Sequence, residues 1–232
     1  MEITPLASGS SGNAYRVDCA GRFILLECGL RFPEIQRGLE FNVSGLDGCL
    51  ISHEHADHSK AVKQMMKTGV DLYMSAGTRE ALGVEGHRVH VMTPKVGNGI
   101  NPYWFVMPFE TQHDAAEPLG FLIARAGRKL LYASDTFYLK YRFEGLTHIM
   151  IECNYAGDIL AENVKAGEVH PTLRRRIARS HMSLETVKQM LLANDLSHVR
   201  QIWLLHLSDG NSDAERFKRE IQETTGKVVR VA

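Results

Sequence analysis

The chain has 232 residues, 44% of them apolar, and its 27 lysines and arginines balance 27 aspartates and glutamates for a formal charge of zero. That length can build one sizeable core, read here as a single domain over 1–232, and the neutral balance gives no long-range pull toward nucleic acid or an anionic membrane. The sequence shows no apolar run long enough to span a bilayer, no secretion-signal pattern at its amino terminus and no C-x-x-C pair among Cys19, Cys28, Cys49 and Cys153, so the expectation is a soluble cytoplasmic protein with reduced thiols and no membrane partner.

In chain order, alternation and Gly/Ser punctuation predict strands over Glu2–Leu6, Ala14–Val17, Arg22–Leu26 and Gly45–Ser52. A helix is predicted over Asp57–Lys67, with Ala61, Val62 and Met65 on its apolar face. A short strand (Val70–Met74), a helix (Gly77–Leu82) and strands at Arg88–Met92, Tyr103–Pro108, Leu119–Arg125 and Lys129–Ala133 come next. The second half alternates more clearly. It reads as strand His148–Glu152, helix Ser183–Leu192 with a Ser183 cap and Glu185 near its start, buried strand Gln201–Leu207, helix Asp213–Thr224 ended by Gly226, and a last strand Lys227–Val231. Two strand-rich halves that each finish in helices imply an α/β (α+β) protein with two sheets packed face to face and helices outside.

The densest chemistry is His53-Glu54-His55-Ala56-Asp57-His58, three imidazoles and a carboxylate placed between a predicted strand and a predicted helix. On a helix, His53 and Asp57 would share a face while His55 pointed away. An extended turn instead puts His53 and His55 on one side and brings in Asp57 and His58 from the helix start. Imidazole nitrogen with carboxylate oxygen suits zinc, with manganese or iron as alternatives; the competing reading is a solvated polar turn. Two metals need more ligands than one hexapeptide supplies, and His113 and Asp135 each follow an apolar strand while His206 lies at the end of one. Singly, each is as readily a capping or surface residue; together they form a set.

The segments SGSSGN (Ser8–Asn13), ILLECG (Ile24–Gly29), LISHEHADH (Leu50–His58), HDAAEPLGF (His113–Phe121), LLYASDT (Leu130–Thr136), IECN (Ile151–Asn154), HMS (His181–Ser183) and HLSDGNS (His206–Ser212) resemble the metallo-beta-lactamase superfamily, in its nuclease-like branch with the YycJ/WalJ-type proteins. The resemblance spans nearly the whole chain. It implies a four-layer αββα sandwich with a dinuclear site at one edge: His53, His55 and His113 on the first metal, Asp57, His58 and His206 on the second, Asp135 between them. Two departures stand out. Glu27 takes the place of a usual aspartate, which alters the bracing of the turn, and Tyr155-Ala156 replaces a common His-Asp pair, whose role therefore does not carry over.

Two divalent ions can share a hydroxide and clamp the oxygens of an in-line displacement, so no serine or cysteine nucleophile is needed. The leaving group still needs a proton. His181 resembles the second-half histidine of metallo-beta-lactamase nucleases and is the candidate general acid, oriented by Glu152; Asp57 counts with these catalytic groups as well as with the ligands. On the substrate side stand Asn154, the turn at Ser10 and Ser11, whose backbone N–H groups could touch a phosphate, and Arg174, Arg175, Arg176 and Arg179, which either hold phosphates or form a solvated helix face. The leading expectation is a dinuclear, exonuclease-like phosphodiesterase acting on DNA or RNA. The alternatives are a hydrolase of thioesters, lactones or cyclic phosphodiesters, and a metal-binding module without turnover.

Overall fold

The computed structural model describes residues 1–232, which form two compact units, Met1–Glu110 with Ala115–Arg128 and Thr111–Asp114 with Lys129–Ala232. Thirteen strands fall into two sheets, of six and seven strands.

The first unit opens with β1 (Glu2–Ala7), β2 (Ala14–Cys19) and β3 (Arg22–Leu26), an antiparallel run. Then come α1 (Phe32–Gly38), β4 (Leu46–Leu50), α2 (Ala56–Ser59), α3 (Val62–Lys67), β5 (Leu72–Met74), α4 (Ala76–Leu82) and β6 (Val89–Val91). From β3 to β6 the pairing is parallel, giving the order β1-β2-β3-β4-β5-β6. Parallel pairing needs crossovers, and α1 and α2–α4 supply them. Leu25, Cys28, Ile35, Leu39, Cys49, Ile51, Met65, Leu72 and Met74 are fully buried in one cluster, each Leu or Ile worth about 1.5–3 kcal/mol of removed apolar surface. The unit ends with an antiparallel meander, β7 (Asn98–Ile100), β8 (Trp104–Glu110) and β9 (Leu119–Arg125).

Four parallel strands organise the second unit: β10 (Arg128–Ala133), β11 (His148–Glu152), β12 (Gln201–Leu205) and β13 (Val228–Val231). Their sequences, RKLLYA, HIMIE and QIWLL in the first three, are near-continuous apolar runs, the pattern of strands covered on both faces; all five residues of β11 are buried. The helices are α5 (Gly157–Ala166), α6 (Pro171–Ser180), α7 (Leu184–Leu192) and α8 (Ala214–Thr225). Ser183 caps α7 as expected, its side chain accepting from Thr186 N, and Asp213 caps α8 by accepting from Arg216 N. No helix is long and apolar enough to cross a membrane.

The helix expected over Asp57–Lys67 is two helices. Lys60 and Ala61 interrupt it because Ala61 N turns to the Cys28 carbonyl, 2.9 Å away, and a long-range contact thus overrides local propensity. Helices α1 and α5 and strand β7 have no counterpart in the sequence expectation.

Candidate functional site

In the first unit the hexapeptide leaves the end of β4 extended and turns into α2, whose N-cap is His55. The four-residue helix is held by its own first turn: Ser59 Oγ donates to the Glu54 and His55 carbonyls at 2.8 and 3.0 Å. Glu54 accepts from Ala116 N at 2.8 Å. His53 is braced by Ser52 Oγ, 2.8 Å from its Nδ1, while its Nε2 meets His55 Nδ1 at 3.1 Å. Two donor nitrogens therefore converge, as the extended-turn reading requires.

His58 is fully buried, with Glu27 Oε1 3.6 Å from its Nδ1 and Asp57 Oδ2 3.4 Å from its Nε2. Glu27 also accepts from Ser52 N at 3.1 Å, so this carboxylate joins both ends of the motif. Such a partner behind an imidazole fixes its tautomer and orientation. Asn13 performs a service that the sequence did not disclose. Its side chain holds the Gly9 N–H and carbonyl, and its Nδ2 reaches to 3.1 Å from His58 Nε2. Its own N–H donates to the Asp57 carbonyl at 2.7 Å. Within the SGSSGN turn the asparagine is the residue tied to Asp57 and His58, whereas Ser10 and Ser11 lie exposed.

In the second unit the candidate residues also gather. His113 Nδ1 donates to the Ser180 carbonyl at 3.1 Å and its Nε2 lies 3.6 Å from Asp135 Oδ2. Burial lowers the His113 pKa, with Asp135 opposing, and the resulting neutral imidazole is the form a metal requires. Asp135 also accepts from Ser134 Oγ at 2.9 Å, and His206 Nδ1 lies 3.8 Å from Asp135 Oδ1. Donor atoms of Asp135, Glu152, His181 and His206 all fall within 4.8 Å of one another.

Glu152, at the end of β11, is fully buried and accepts from the Thr136 and Met182 N–H groups at 2.8 and 3.3 Å. Its other oxygen receives His181 Nδ1, and the His181 ring stacks on His206 with centroids 5.3 Å apart. Burial works against a charged His181, but the charge and hydrogen bond of Glu152 outweigh it and raise the imidazole pKa. Burial likewise pushes Glu152 up, and His181 overcomes it and brings that carboxyl below its ordinary value. Each partner therefore favours the charged form of the other.

Three site residues stand where strands end in left-handed backbone: Glu27 after β3 (φ 62°), Asp135 after β10 (φ 45°) and His206 after β12 (φ 53°). Non-glycine residues adopt this region at a cost of about 1 kcal/mol or more, and such strain clusters at functional positions. Asn154, expected among the substrate-binding residues, is buried and spends its amide on the His206 carbonyl at 2.8 Å, bracing that turn. Arg174, Arg175, Arg176 and Arg179 occupy α6 and all four are exposed. Tyr155 makes an isolated parallel bridge to Ser183.

The donors offered are imidazole nitrogens and carboxylate oxygens, each steadied by a neighbour, and the four cysteines are buried and free elsewhere in the chain. That donor chemistry fits divalent zinc, manganese or iron.

The profile of the beta-lactamase superfamily domain matches residues 22–207. The chain is similar to the exodeoxyribonuclease WalJ of Streptococcus pneumoniae, 28% identical over 230 residues covering 90% of this chain and 82% of the relative. It is also similar to the exodeoxyribonuclease YycJ of Bacillus anthracis, 24% identical over 243 residues covering 96% and 88%. Among solved structures, the metallo-beta-lactamase fold protein YhfI from Bacillus subtilis superposes with a TM-score of 0.75 at 14% identity, over 99% of this chain and 95% of that one. The chain belongs to the beta-lactamase superfamily and has the metallo-beta-lactamase fold.

Proposed function

We propose that this protein is a metal-dependent phosphodiesterase that degrades nucleic acid from an end, working in the cytoplasm. Its relatives named as exodeoxyribonucleases align over nearly their whole length. The observation that carries the reading furthest is the His181–Glu152 pair. A module that merely held metal would have no use for an imidazolium fixed by a buried carboxylate beside the ligands Asp135 and His206.

His53, His55 and His113 would hold one divalent cation and Asp57, His58 and His206 a second, with Asp135 shared; zinc is the metal we assign. When bound, the two ions supply Lewis acidity and an activated water. The rest is done by side chains. Glu27 and Asn13 hold His58 in register, Ser52 orients His53, and Ser180 fixes the His113 ring through its carbonyl. Glu152 keeps His181 protonated with Nδ1 engaged, so Nε2 is the atom that hands a proton to the departing oxygen. The α6 arginines hold backbone phosphates through guanidinium forks.

The test is metal content together with hydrolysis of end-labelled single- and double-stranded DNA and RNA, an aryl phosphodiester and a thioester. His181→Ala should keep its metal and lose about 10²–10⁴-fold in turnover of nucleic acid. Loss of metal from that variant would make His181 a ligand, and cleavage of the thioester alone would overturn the nuclease reading. Replacing the four α6 arginines should flatten the salt dependence of binding by about 0.7–0.9 in log–log slope for each phosphate that is no longer neutralised.

A further inference from the structure

Two residues beyond Asp135 the chain runs Phe137-Tyr138-Leu139-Lys140-Tyr141-Arg142-Phe143, four aromatic rings interleaved with two cations. The backbone of this segment is fastened down. Phe137 N donates to the Gln112 carbonyl at 3.2 Å, Thr136 Oγ1 donates to the Tyr138 carbonyl at 2.9 Å, and Phe143 N donates to Asn194 Oδ1 at 2.7 Å. Leu139 is 5% exposed and anchors the strip, while Phe137 and Tyr138 present 40% and 53% of their surface to solvent. Lys140 and Arg142 are exposed too, and the Lys140 ammonium lies 5.3 Å from the Tyr141 ring centroid.

A fastened strip does not expose two neighbouring aromatic rings for its own stability, because tucking them away would gain apolar burial. Beside them lies a groove of about 230 Å³, with Tyr138, Tyr141 and Arg142 on one side and Gln189, Met190 and Asn194 on the other. That is below the roughly 300 Å³ at which pockets for drug-sized ligands begin, and it suits one planar ring system better than an extended cofactor. Two exposed rings, Phe137 and Tyr138, followed by the exposed cations Lys140 and Arg142 match the makeup of a single strand, whose bases offer faces and whose phosphates offer charge.

We propose that Phe137–Phe143 is a stacking platform for the unpaired bases of a single-stranded nucleic-acid substrate, with Phe137 and Tyr138 under successive bases and Lys140 and Arg142 on the intervening phosphates. The inference rests on the nuclease reading and sharpens it, since a duplex keeps its base faces stacked on one another and cannot use the platform. Because the strip starts beside Asp135, a strand held on it is led to the residues that carry the chemistry.

The experiment measures binding of the metal-loaded protein to a phosphorothioate-linked oligothymidylate, and to an abasic oligomer with the same backbone, by fluorescence anisotropy. Phe137→Ala and Tyr138→Ala should each weaken oligothymidylate binding about tenfold, with metal content unchanged and at most a small fall in melting temperature, since 40% and 53% of the two residues is already exposed. Tyr138→Trp should restore it. The abasic oligomer should bind the parent protein more weakly and ignore both alanine substitutions. Oligothymidylate affinity within twofold of the parent in both variants, or equal binding of the abasic oligomer, sinks the platform; if the parent still degrades end-labelled DNA, the nuclease reading survives that failure. A parent protein that binds no oligonucleotide and hydrolyses none overturns both.

Discussion

Gly29 is the position at which the smallest substitution should do the greatest local damage. The residue lies where three segments cross: its N–H donates to the Asn13 carbonyl at 2.9 Å, Asn13 N donates to the Asp57 carbonyl at 2.7 Å, and the neighbouring Cys28 N donates to the His58 carbonyl at 2.9 Å. A Cβ built on Gly29 would lie 1.6 Å from the Asp57 carbonyl oxygen and 2.8 Å from His58 N, where real Cβ atoms stay beyond 3.0 Å. The opposing atoms are backbone, so they cannot rotate aside, and the segments must part by more than about 1 Å. Overpacking of this kind costs about 1–3 kcal/mol, and the crossing bonds it loosens add about 1 kcal/mol each, so Gly29→Ala should lose about 3 kcal/mol or more. It should also lose metal affinity, because Asp57 and His58 move with the displaced backbone. Gly83→Ala is the control: Gly83 has φ +59° with nothing within 4 Å of the added carbon, so only about 1 kcal/mol of backbone strain is expected, with metal retained. Denaturant unfolding and metal analysis of both variants decide the matter. Equal stability losses, with metal kept in each, would refute the close-approach argument.

Glu152→Gln removes the charge that holds His181 protonated against its burial. A general acid works only below its pKa, so the alkaline limb of the pH–rate profile should move to lower pH in this variant; an unmoved limb would take Glu152 out of that role. Asp47 accepts from Trp104 Nε1 at 2.7 Å, from Asn101 Nδ2 at 2.8 Å and from Arg22 Nε at 3.0 Å. Burial alone would raise its pKa, but the Arg22, Trp104 and Asn101 bonds outweigh that and lower it. The stabilisation is therefore present above the unfolded value of about 3.9 and lost as pH falls through the lower folded value. Asp47→Asn should cost about 1–3 kcal/mol at pH 7, a gap that closes in acid unfolding; a constant gap from pH 7 to pH 2 would contradict it.

Much of this site is legible in the sequence because its chemistry sits in one short string. His53 to His58 follows an apolar run, and strand ends announce His113, Asp135 and His206 by breaking from the buried pattern. The capping serine of α7 reads equally well. What the sequence conceals depends on contacts far along the chain. The break in the helix after Ser59 comes from the Cys28 carbonyl, and α1 is masked by Pro33 and Gly38 within PEIQRG. Asn13 is visible in SGSSGN, yet nothing local says that its amide serves Asp57 and His58, 44 and 45 residues away. The serines beside it attract attention as turn formers and lie exposed. Asn154, read from IECN as a substrate-side residue, donates its amide to the His206 carbonyl, a contact that its place in the string does not announce.

A two-metal centre that hydrolyses phosphodiesters is tested by one titration: metal-stripped protein given stepwise zinc or manganese, with bound metal and hydrolysis of end-labelled DNA followed in the same samples. Binding should saturate at about two ions per chain, with activity that climbs as the second is taken up. Full activity in stripped protein, or two bound ions with no hydrolysis of any nucleic acid, would contradict it.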